Sequence, residues 1–265
     1  MRQSAIGIFD SGVGGLTVFK EIAALLPGEN LIYLGDTARV PYGTKSVATV
    51  QRYALEAAEF LASQGVKLLV VACNTASAVA LPLLRERFQL PVIGVIEPGA
   101  KRAAESKKQR VGIIGTEATI NSNRYPEAIM QLLPQAQIFS TPCPLFVPLV
   151  ESGWADHKIA TLTAMEYLQP LLAAKIDTLV LGCTHYPLLR DTLHKVLGDD
   201  VALVDSAAET AKSVAQLIQQ QELKNDQQQG SRSFFVTDVP TRFKSIGEAF
   251  LGTSLGLVKQ VEIGC

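Results

Sequence analysis

The chain has 265 residues, of which 48% are hydrophobic and 18% charged, and its formal net charge is −1 at pH 7. A chain of this length and composition can bury a large core, and its balanced charge gives no basic surface for nucleic acid or an anionic membrane. No apolar run approaches the roughly 20 residues of a membrane span, and residues 5–9 are too short a run for a secretion signal. Four cysteines in so long a chain indicate a reduced, cytoplasmic protein rather than a disulfide framework.

Predicted strands and helices alternate along the first part of the chain. Apolar runs predict strands at residues 5–9, 31–34, 68–71 and 91–95. Helices are expected at residues 16–26 and 44–63, after Cys73, and beyond residues 97–99. Asn74, Thr75 and Ser77 are candidate caps of the helix after Cys73, and Pro82 is expected to kink or restart that helix.

The second part of the chain repeats this pattern. Strands are predicted at residues 111–116, 137–140, 178–181 and 201–204, with helices at 155–174 and 186–197 and a short one that ends at Val150. Val111 repeats the context of Ile6 at an offset of 111 − 6 = 105 residues, and Cys183 repeats that of Cys73 at 183 − 73 = 110. Two similar offsets favour an internal duplication.

Alternating strands and helices predict parallel sheets covered on both faces. We expect an α/β fold of two pseudo-symmetric lobes, each a parallel sheet flanked by helices, with the active site in the cleft between them. The tail carries a helix to about residue 223, strands at 233–236 and 257–261, and a helix at 240–250. We expect residues 1–97 and 207–265 to form the first lobe and residues 98–206 the second, with a boundary near Pro98.

Two cysteines follow predicted strands in the same way. Cys73 comes after Leu68–Ala72 and before Asn74 and Thr75, and Cys183 comes after the strand that ends at Gly182. Ligands bind at the carboxyl ends of strands in open α/β sheets, so we expect a site with a thiol on each side. The glycine-rich loop of residues 10–15 precedes a helix and suits a small anion, or is simply a tight turn. Cys143 and Cys265 lack this context and are expected to be structural or inert.

Several chemistries use such thiols. Cys73, Cys183 and His185 could bind zinc, but structural zinc ligands usually come in close Cys-x-x-Cys pairs, as do redox cysteines. Cys183 with His185 as base could act as a thiol hydrolase, which leaves Cys73 without a role.

A two-base reaction uses both thiols. Two acid/base groups on opposite faces of one carbon can remove a proton from one side and return one to the other, which inverts a stereocentre. A thiol with an ordinary pKa of about 8.5 can be brought near neutrality by a helix N-terminus and positioned partners. A non-catalytic protein that binds acidic amino acids is the alternative of a different class, although binding alone requires neither thiol.

The chain resembles the aspartate/glutamate racemase superfamily, and glutamate racemases in particular, along essentially its whole length. The resemblance rests on five motifs in order: Phe9–Gly15, Gly35–Asp36 through Pro41–Gly43, Ala72–Ser77, Glu151–Gly153 and Gly182–Pro187. It implies interconversion of L- and D-glutamate without pyridoxal phosphate or metal, and supply of D-glutamate for cell-wall peptidoglycan.

The resemblance also implies residue roles. Cys73 and Cys183 are the proton donors and acceptors, Cys73 for D-glutamate and Cys183 for L-glutamate. Asp10 assists the first thiol, and His185 with Glu151 assists the second. Substrate contacts are implied for Asp10, Ser11, Tyr42, Gly43, Asn74, Thr75, Thr184 and His185, with Thr116 and Thr119 as further pocket residues. Asp36 either supports the Cys73 side or anchors its own turn.

Aspartate racemases are the rival branch. They carry Glu where this chain has His185, which favours glutamate, although one methylene discriminates substrates only modestly. The resemblance further implies a homodimer.

Overall fold

A computed structural model describes residues 2–264, which form two parallel β-sheets flanked by helices. Met1 and Cys265 lie outside the described residues, so the expectation of an inert Cys265 is not addressed. The strands are β1 (Ile6–Asp10), β2 (Leu31–Gly35), β3 (Leu68–Val71), β4 (Val92–Gly94), β5 (Arg110–Gly115), β6 (Gln137–Pro142), β7 (Thr178–Gly182), β8 (Ala202–Asp205), β9 (Arg232–Val236) and β10 (Val258–Gln260).

The two sheets contain different stretches of the chain. The first has the order β10-β9-β2-β1-β3-β4 and the second β6-β5-β7-β8, and every neighbouring pair is parallel. Strands β1, β3 and β7 are buried along their whole length, as their continuous apolar sequences require when helices cover both faces. The predicted α/β fold is confirmed.

Eleven α-helices cover these sheets within residues 2–264. They are α1 (Leu16–Leu25), α2 (Val47–Ser63), α3 (Asn74–Arg87), α4 (Ile96–Ala103), α5 (Glu117–Asn121), α6 (Arg124–Leu132), α7 (Phe146–Glu151), α8 (Lys158–Ala173), α9 (Arg190–Leu197), α10 (Ser206–Gln220) and α11 (Pro240–Leu251). Short 3-10 helices span Tyr42–Thr44 and Tyr186–Leu189. None of the helices described is long and apolar enough to cross a membrane.

Two prolines lie inside helices rather than at a break between elements. The helix restart expected at Pro82 is wrong, because α3 runs unbroken through this exposed residue, where water can replace the lost backbone hydrogen bond; the kink expected there stays a prediction. Glu97 and Pro98 lie in the first turn of α4 rather than before a later helix, since proline is tolerated where helical N–H groups have no partner. The boundary expected near Pro98 therefore falls inside a helix, and the division into two lobes stays a prediction.

Helices α5 and α6 were not predicted from the sequence. Thr116 caps α5 by accepting a hydrogen bond from the Thr119 backbone N–H at 3.3 Å. Asn123 then adopts the left-handed conformation (φ 58°) and turns the chain into α6. These two helices bring Thr116, Thr119 and Tyr125 next to the first sheet, where α5 packs against α3.

Candidate active site

Both predicted thiols lie at the carboxyl ends of inner strands. Cys73 follows β3, which pairs with β1 and β4, and Cys183 follows β7, which pairs with β5 and β8. Both are almost completely buried and line the same cavity of about 30 Å³. A volume of this size holds roughly two water molecules. The cavity is also lined by Ser11, Val40, Pro41, Tyr42, Gly43, Asn74, Thr75, Thr116, Val147, Thr184 and His185.

The Cys73 sulfur has two polar neighbours. The Ser11 hydroxyl lies 3.8 Å from Sγ, and the Ala76 backbone N–H donates to Sγ at 3.5 Å, which makes Cys73 the N-cap of α3. Burial, together with the negative charge of Asp10, nevertheless raises the pKa of Cys73 to about 12. Burial therefore outweighs the backbone hydrogen bond at the helix N-terminus, and the pKa of this thiol lies above its ordinary value rather than near neutrality.

The Cys183 sulfur has a charged neighbour. His185 Nδ1 lies 3.8 Å from Sγ, and His185 Nε2 lies 3.1 Å from Glu151 Oε1. Burial alone would lower the pKa of His185, but its hydrogen bonds to Cys183 and Glu151 outweigh burial and raise the pKa to about 10. The His185 hydrogen bond in turn lowers the pKa of Glu151. The raised pKa favours the protonated imidazole at neutral pH, and the Glu151 carboxylate orients the ring.

Asp10 connects the two sheets. Its carboxylate accepts a hydrogen bond from the Gly12 backbone N–H at 2.9 Å and one from the Thr184 hydroxyl at 3.3 Å. Burial raises the pKa of Asp10, and the charge of His185 opposes that rise. The described residues form no hydrogen bond between Asp10 and the Cys73 sulfur, so its role beside the first thiol stays a prediction.

The glycine-rich loop after β1 lies close to the residues that follow β7 of the second sheet. A Cβ at Gly14 would lie 2.3 Å from the Thr184 hydroxyl oxygen and 2.6 Å from His185 Nδ1. The absence of a side chain at Gly14 thus allows Thr184 and His185 to approach the loop after β1.

Three threonine hydroxyls join the sheets on the other side of the cavity. Thr75 lies 2.9 Å from Thr116 and 3.2 Å from Thr119, and Thr116 lies 3.0 Å from Thr119, measured between hydroxyl oxygens. Thr116 lines the cavity, whereas Thr119 reaches it only through the other two.

A family model described as Asp/Glu/Hydantoin racemase matches residues 6–214. The chain belongs to this racemase family. It is 56% identical over 265 residues to a glutamate racemase of Geobacter metallireducens, with 99% of this chain and 98% of that protein aligned.

Two solved structures are similar over nearly the whole chain. A glutamate racemase isoform of Bacillus anthracis superposes with a TM-score of 0.96 at 43% identity, and the glutamate racemase of Francisella tularensis in complex with D-glutamate superposes with a TM-score of 0.94 at 41% identity. Each alignment covers 99% of this chain and 98% of the other. The prediction of an amino-acid racemase, an isomerase, is confirmed.

In this racemase the buried Asp36 carboxylate anchors the Tyr42–Gly43 turn through hydrogen bonds. The Tyr42 hydroxyl donates to Asp36 Oδ2, and the same buried carboxylate accepts from Arg39 Nε at 2.7 Å and from the Thr237 hydroxyl at 2.9 Å. Asp36 therefore ties the turn to Thr237, the residue after β9, which favours the supporting role over an isolated turn anchor.

Three cavity residues were missed by sequence reasoning, namely Val40, Pro41 and Val147. Val40 and Pro41 belong to the predicted turn before α2, but apolar side chains carry no chemical signal of their own. Val147 lies on α7, and only the packing of α7 beside the 3-10 helix after Cys183 brings it to the cavity. Conversely, Asp10 and Thr119 lie behind the lining, and Glu151 lines two neighbouring cavities; all three act on the lining through hydrogen bonds. Across residues 2–264 no cluster of three His, Cys, Asp or Glu side chains could hold a metal ion.

Proposed function

We propose that this racemase interconverts L- and D-glutamate by a cofactor-independent, two-base mechanism in which Cys73 and Cys183 are the acid/base groups. The observation that carries the proposal is that two thiols, each at the end of an inner strand of a different sheet, open into one cavity. Relatives of high identity over nearly the full chain are named glutamate racemases, which supports glutamate as the substrate.

The reaction is a proton relay through the α-carbon. For L-glutamate, Cys183 as thiolate takes the α-proton, and the C–H electron pair is delocalised into the adjacent carboxylate. The Cys73 thiol then gives its proton to the opposite face. Its raised pKa, about 12, means that Cys73 carries this proton at neutral pH. For D-glutamate the two thiols exchange roles.

The polar cavity residues suit a dicarboxylate. Asn74, Thr75 and Thr184 supply neutral hydrogen-bond donors near the thiols, and Tyr42–Gly43 offers backbone amides for the side-chain carboxylate. The cavity of about 30 Å³ between the thiols shares five lining residues with a neighbouring cavity of about 280 Å³, namely Val40, Pro41, Gly43, Thr116 and Val147. The space beside the thiols therefore continues into a larger one.

Proton exchange at the α-carbon tests the proposal. Each glutamate enantiomer is incubated with enzyme in deuterated water without added cofactor and followed by NMR. We expect inversion with incorporation of deuterium in the wild type, and loss of inversion in Cys73→Ala and in Cys183→Ala. Exchange with aspartate but not glutamate would reassign the substrate to the rival branch. No exchange with either would contradict the racemase mechanism.

The proposed cellular role follows from the product. D-Glutamate serves as a building block of peptidoglycan, and a cytoplasmic site of synthesis agrees with three buried free thiols among residues 2–264. Depletion of the protein should stop cell-wall growth and disturb cell shape, and added D-glutamate should restore both. Failure of D-glutamate to restore growth would contradict this role.

We also propose a homodimer that pairs through α8. One face of this helix exposes apolar side chains in a row, namely Ile159, Leu162, Met165 and Leu172. Glu166 and Lys195 line the same groove, so an antiparallel pairing of two copies brings opposite charges together. Sedimentation velocity should show a dimer for the wild type and a monomer for Met165→Glu. The circular dichroism spectrum of the variant should match that of the wild type, which shows that its secondary structure is retained. A wild-type monomer at micromolar concentration would exclude this pairing.

A further inference from the structure

Asn74 has a buried amide nitrogen without a partner. The residue is 3% exposed and lies next to Cys73 in the cavity lining, and among residues 2–264 its Nδ2 finds no hydrogen-bond acceptor. Buried amide groups in folded proteins are nearly always satisfied, so an unpaired one at a binding cavity points to a ligand. The unpaired group carries two N–H donors, which match a carboxylate.

The other end of the same amide is held from the second sheet. Tyr125, on α6, donates its hydroxyl proton to Asn74 Oδ1 at an oxygen–oxygen distance of 2.7 Å. Burial raises the pKa of Tyr125, so the phenol keeps its proton and remains a donor over the working pH range. Because Asn74 Oδ1 accepts the hydrogen bond from Tyr125, the amide is oriented with Nδ2 as the group available to a ligand in the cavity.

Tyr125 also touches the strand that carries the second thiol. A Cβ at Gly182, the residue before Cys183, would lie 3.3 Å from the Tyr125 ring, and one at Gly99 on α4 would lie 3.2 Å from its hydroxyl oxygen. The ring is 1% exposed and belongs to the core between α4, α6 and the second sheet. One side chain thus contacts the residue after Cys73 and the residue before Cys183.

We propose that Tyr125 is a positioning residue, which fixes the Asn74 amide so that its NH₂ group faces a substrate carboxylate between the two thiols. The inference rests on the proposed glutamate racemase function. Tyr125 touches neither thiol and acts through Asn74. Tyr125 packs with the second sheet, whereas Asn74 follows β3 of the first sheet. The orientation of the Asn74 amide therefore depends on contact between the two sheets.

The variant Tyr125→Phe tests the hydroxyl alone, because the ring between Gly99 and Gly182 is retained. We expect the KM for both enantiomers to rise about tenfold with little change in kcat, since one donor to a charged group is lost from the correct orientation. Tyr167→Phe is the matched control: its hydroxyl accepts a hydrogen bond from the Leu145 backbone N–H and has no contact with Asn74. The control should keep the wild-type KM.

A double-mutant cycle separates positioning from a general structural role. In an Asn74→Ala background, Tyr125→Phe should raise the KM no further, because the group through which it acts is gone. Additive increases in KM, or an unchanged KM in Tyr125→Phe alone, would overturn the inference. Thermal unfolding of each variant shows whether the fold is retained.

An NMR measurement on the wild-type protein tests the inference without relying on the activity of a variant. The Asn74 side-chain NH₂ signals, identified in ¹⁵N-labelled protein by their absence in Asn74→Ala, should shift on addition of D-glutamate. If they do not shift while the enzyme racemises glutamate, the inference fails and the proposed function stands. If the wild type does not act on glutamate, the proposed function itself fails.

Discussion

Cys73 and Cys183 occupy equivalent positions in two sheets, yet their surroundings differ. Cys73 has a hydroxyl, a backbone N–H and a nearby carboxylate, and burial raises its pKa to about 12. Cys183 has an imidazole whose own pKa is raised to about 10 and which is anchored on Glu151. The two sheets thus repeat the position of the thiol, but different neighbouring residues determine the charge beside each one: the Asp10 carboxylate near Cys73 and the His185 imidazole near Cys183. The site is therefore asymmetric: the raised pKa of Cys73 favours its protonated form, and the raised pKa of His185 favours a positive charge beside Cys183.

Removing either thiol should cost the enzyme most of its activity. Cys73→Ala and Cys183→Ala should each lower the rate of inversion by at least about 10³-fold, because the loss of a general acid/base group costs 10²–10⁴-fold and no second group replaces it. Polarimetry on both enantiomers measures the rate, and circular dichroism checks the fold. If one of the two variants kept more than a tenth of the activity, the two thiols would not form a matched acid/base pair.

Removing the cation is expected to affect one thiol more than the other. His185→Gln should lower kcat about 10²-fold by slowing proton transfer at Cys183. The primary isotope effect should then rise for α-deuterated L-glutamate, whose proton Cys183 removes, and fall for α-deuterated D-glutamate. His194→Gln is the control, since this exposed histidine pairs with Asp199 far from the cavity lining. Equal isotope effects from both enantiomers would show that His185 does not serve Cys183 alone.

The carboxylate behind the imidazole should set the alkaline limit of activity. The pKa of His185 is raised to about 10 by Cys183 and by Glu151; Glu151→Gln removes the second of these partners, so the pKa should fall toward its ordinary value. The alkaline limb of the kcat profile should therefore move to lower pH, with about a tenfold loss of activity at pH 9 or above and less at pH 7. Rates measured from pH 6 to 10.5 check this, and an unmoved alkaline limb would assign that limb to another group.

On the Cys73 side we expect only a small loss of activity when Ser11 is changed. Ser11→Ala removes a hydroxyl that lies 3.8 Å from the sulfur, a weak contact compared with a charged partner. We expect kcat/KM to fall by about threefold, since a neutral hydrogen bond contributes only about 1 kcal/mol or less. Steady-state kinetics of Ser11→Ala and His185→Gln, measured under the same conditions, compare the two losses of kcat/KM. A larger loss in Ser11→Ala than in His185→Gln would reverse the proposed asymmetry.

Much of the fold could be predicted because its signals are local. Buried parallel strands are continuous apolar runs, and those at residues 68–71 and 178–181 were placed within one residue of β3 and β7. The missed helices α5 and α6 are short and depend on a threonine cap and a left-handed asparagine, which are weak signals in a single sequence. The helix restart expected at Pro82 and the boundary expected at Pro98 were wrong for a related reason: whether a proline breaks a helix depends on exposure and position in the turn.

The alternation of strands and helices, the α/β class and the place of both thiols after a strand can be read from the amino-acid order, because each follows from neighbouring residues. The groups that surround those thiols are known only from the packing of the folded chain. Glu151 reaches His185 across 34 residues, and Tyr125 reaches Asn74 across 51. Such contacts leave no periodic pattern in the chain, since they depend on how the two sheets face each other. The same packing buries Cys73 and raises its pKa, an effect that depends on the depth of the sulfur and not on its neighbours in sequence.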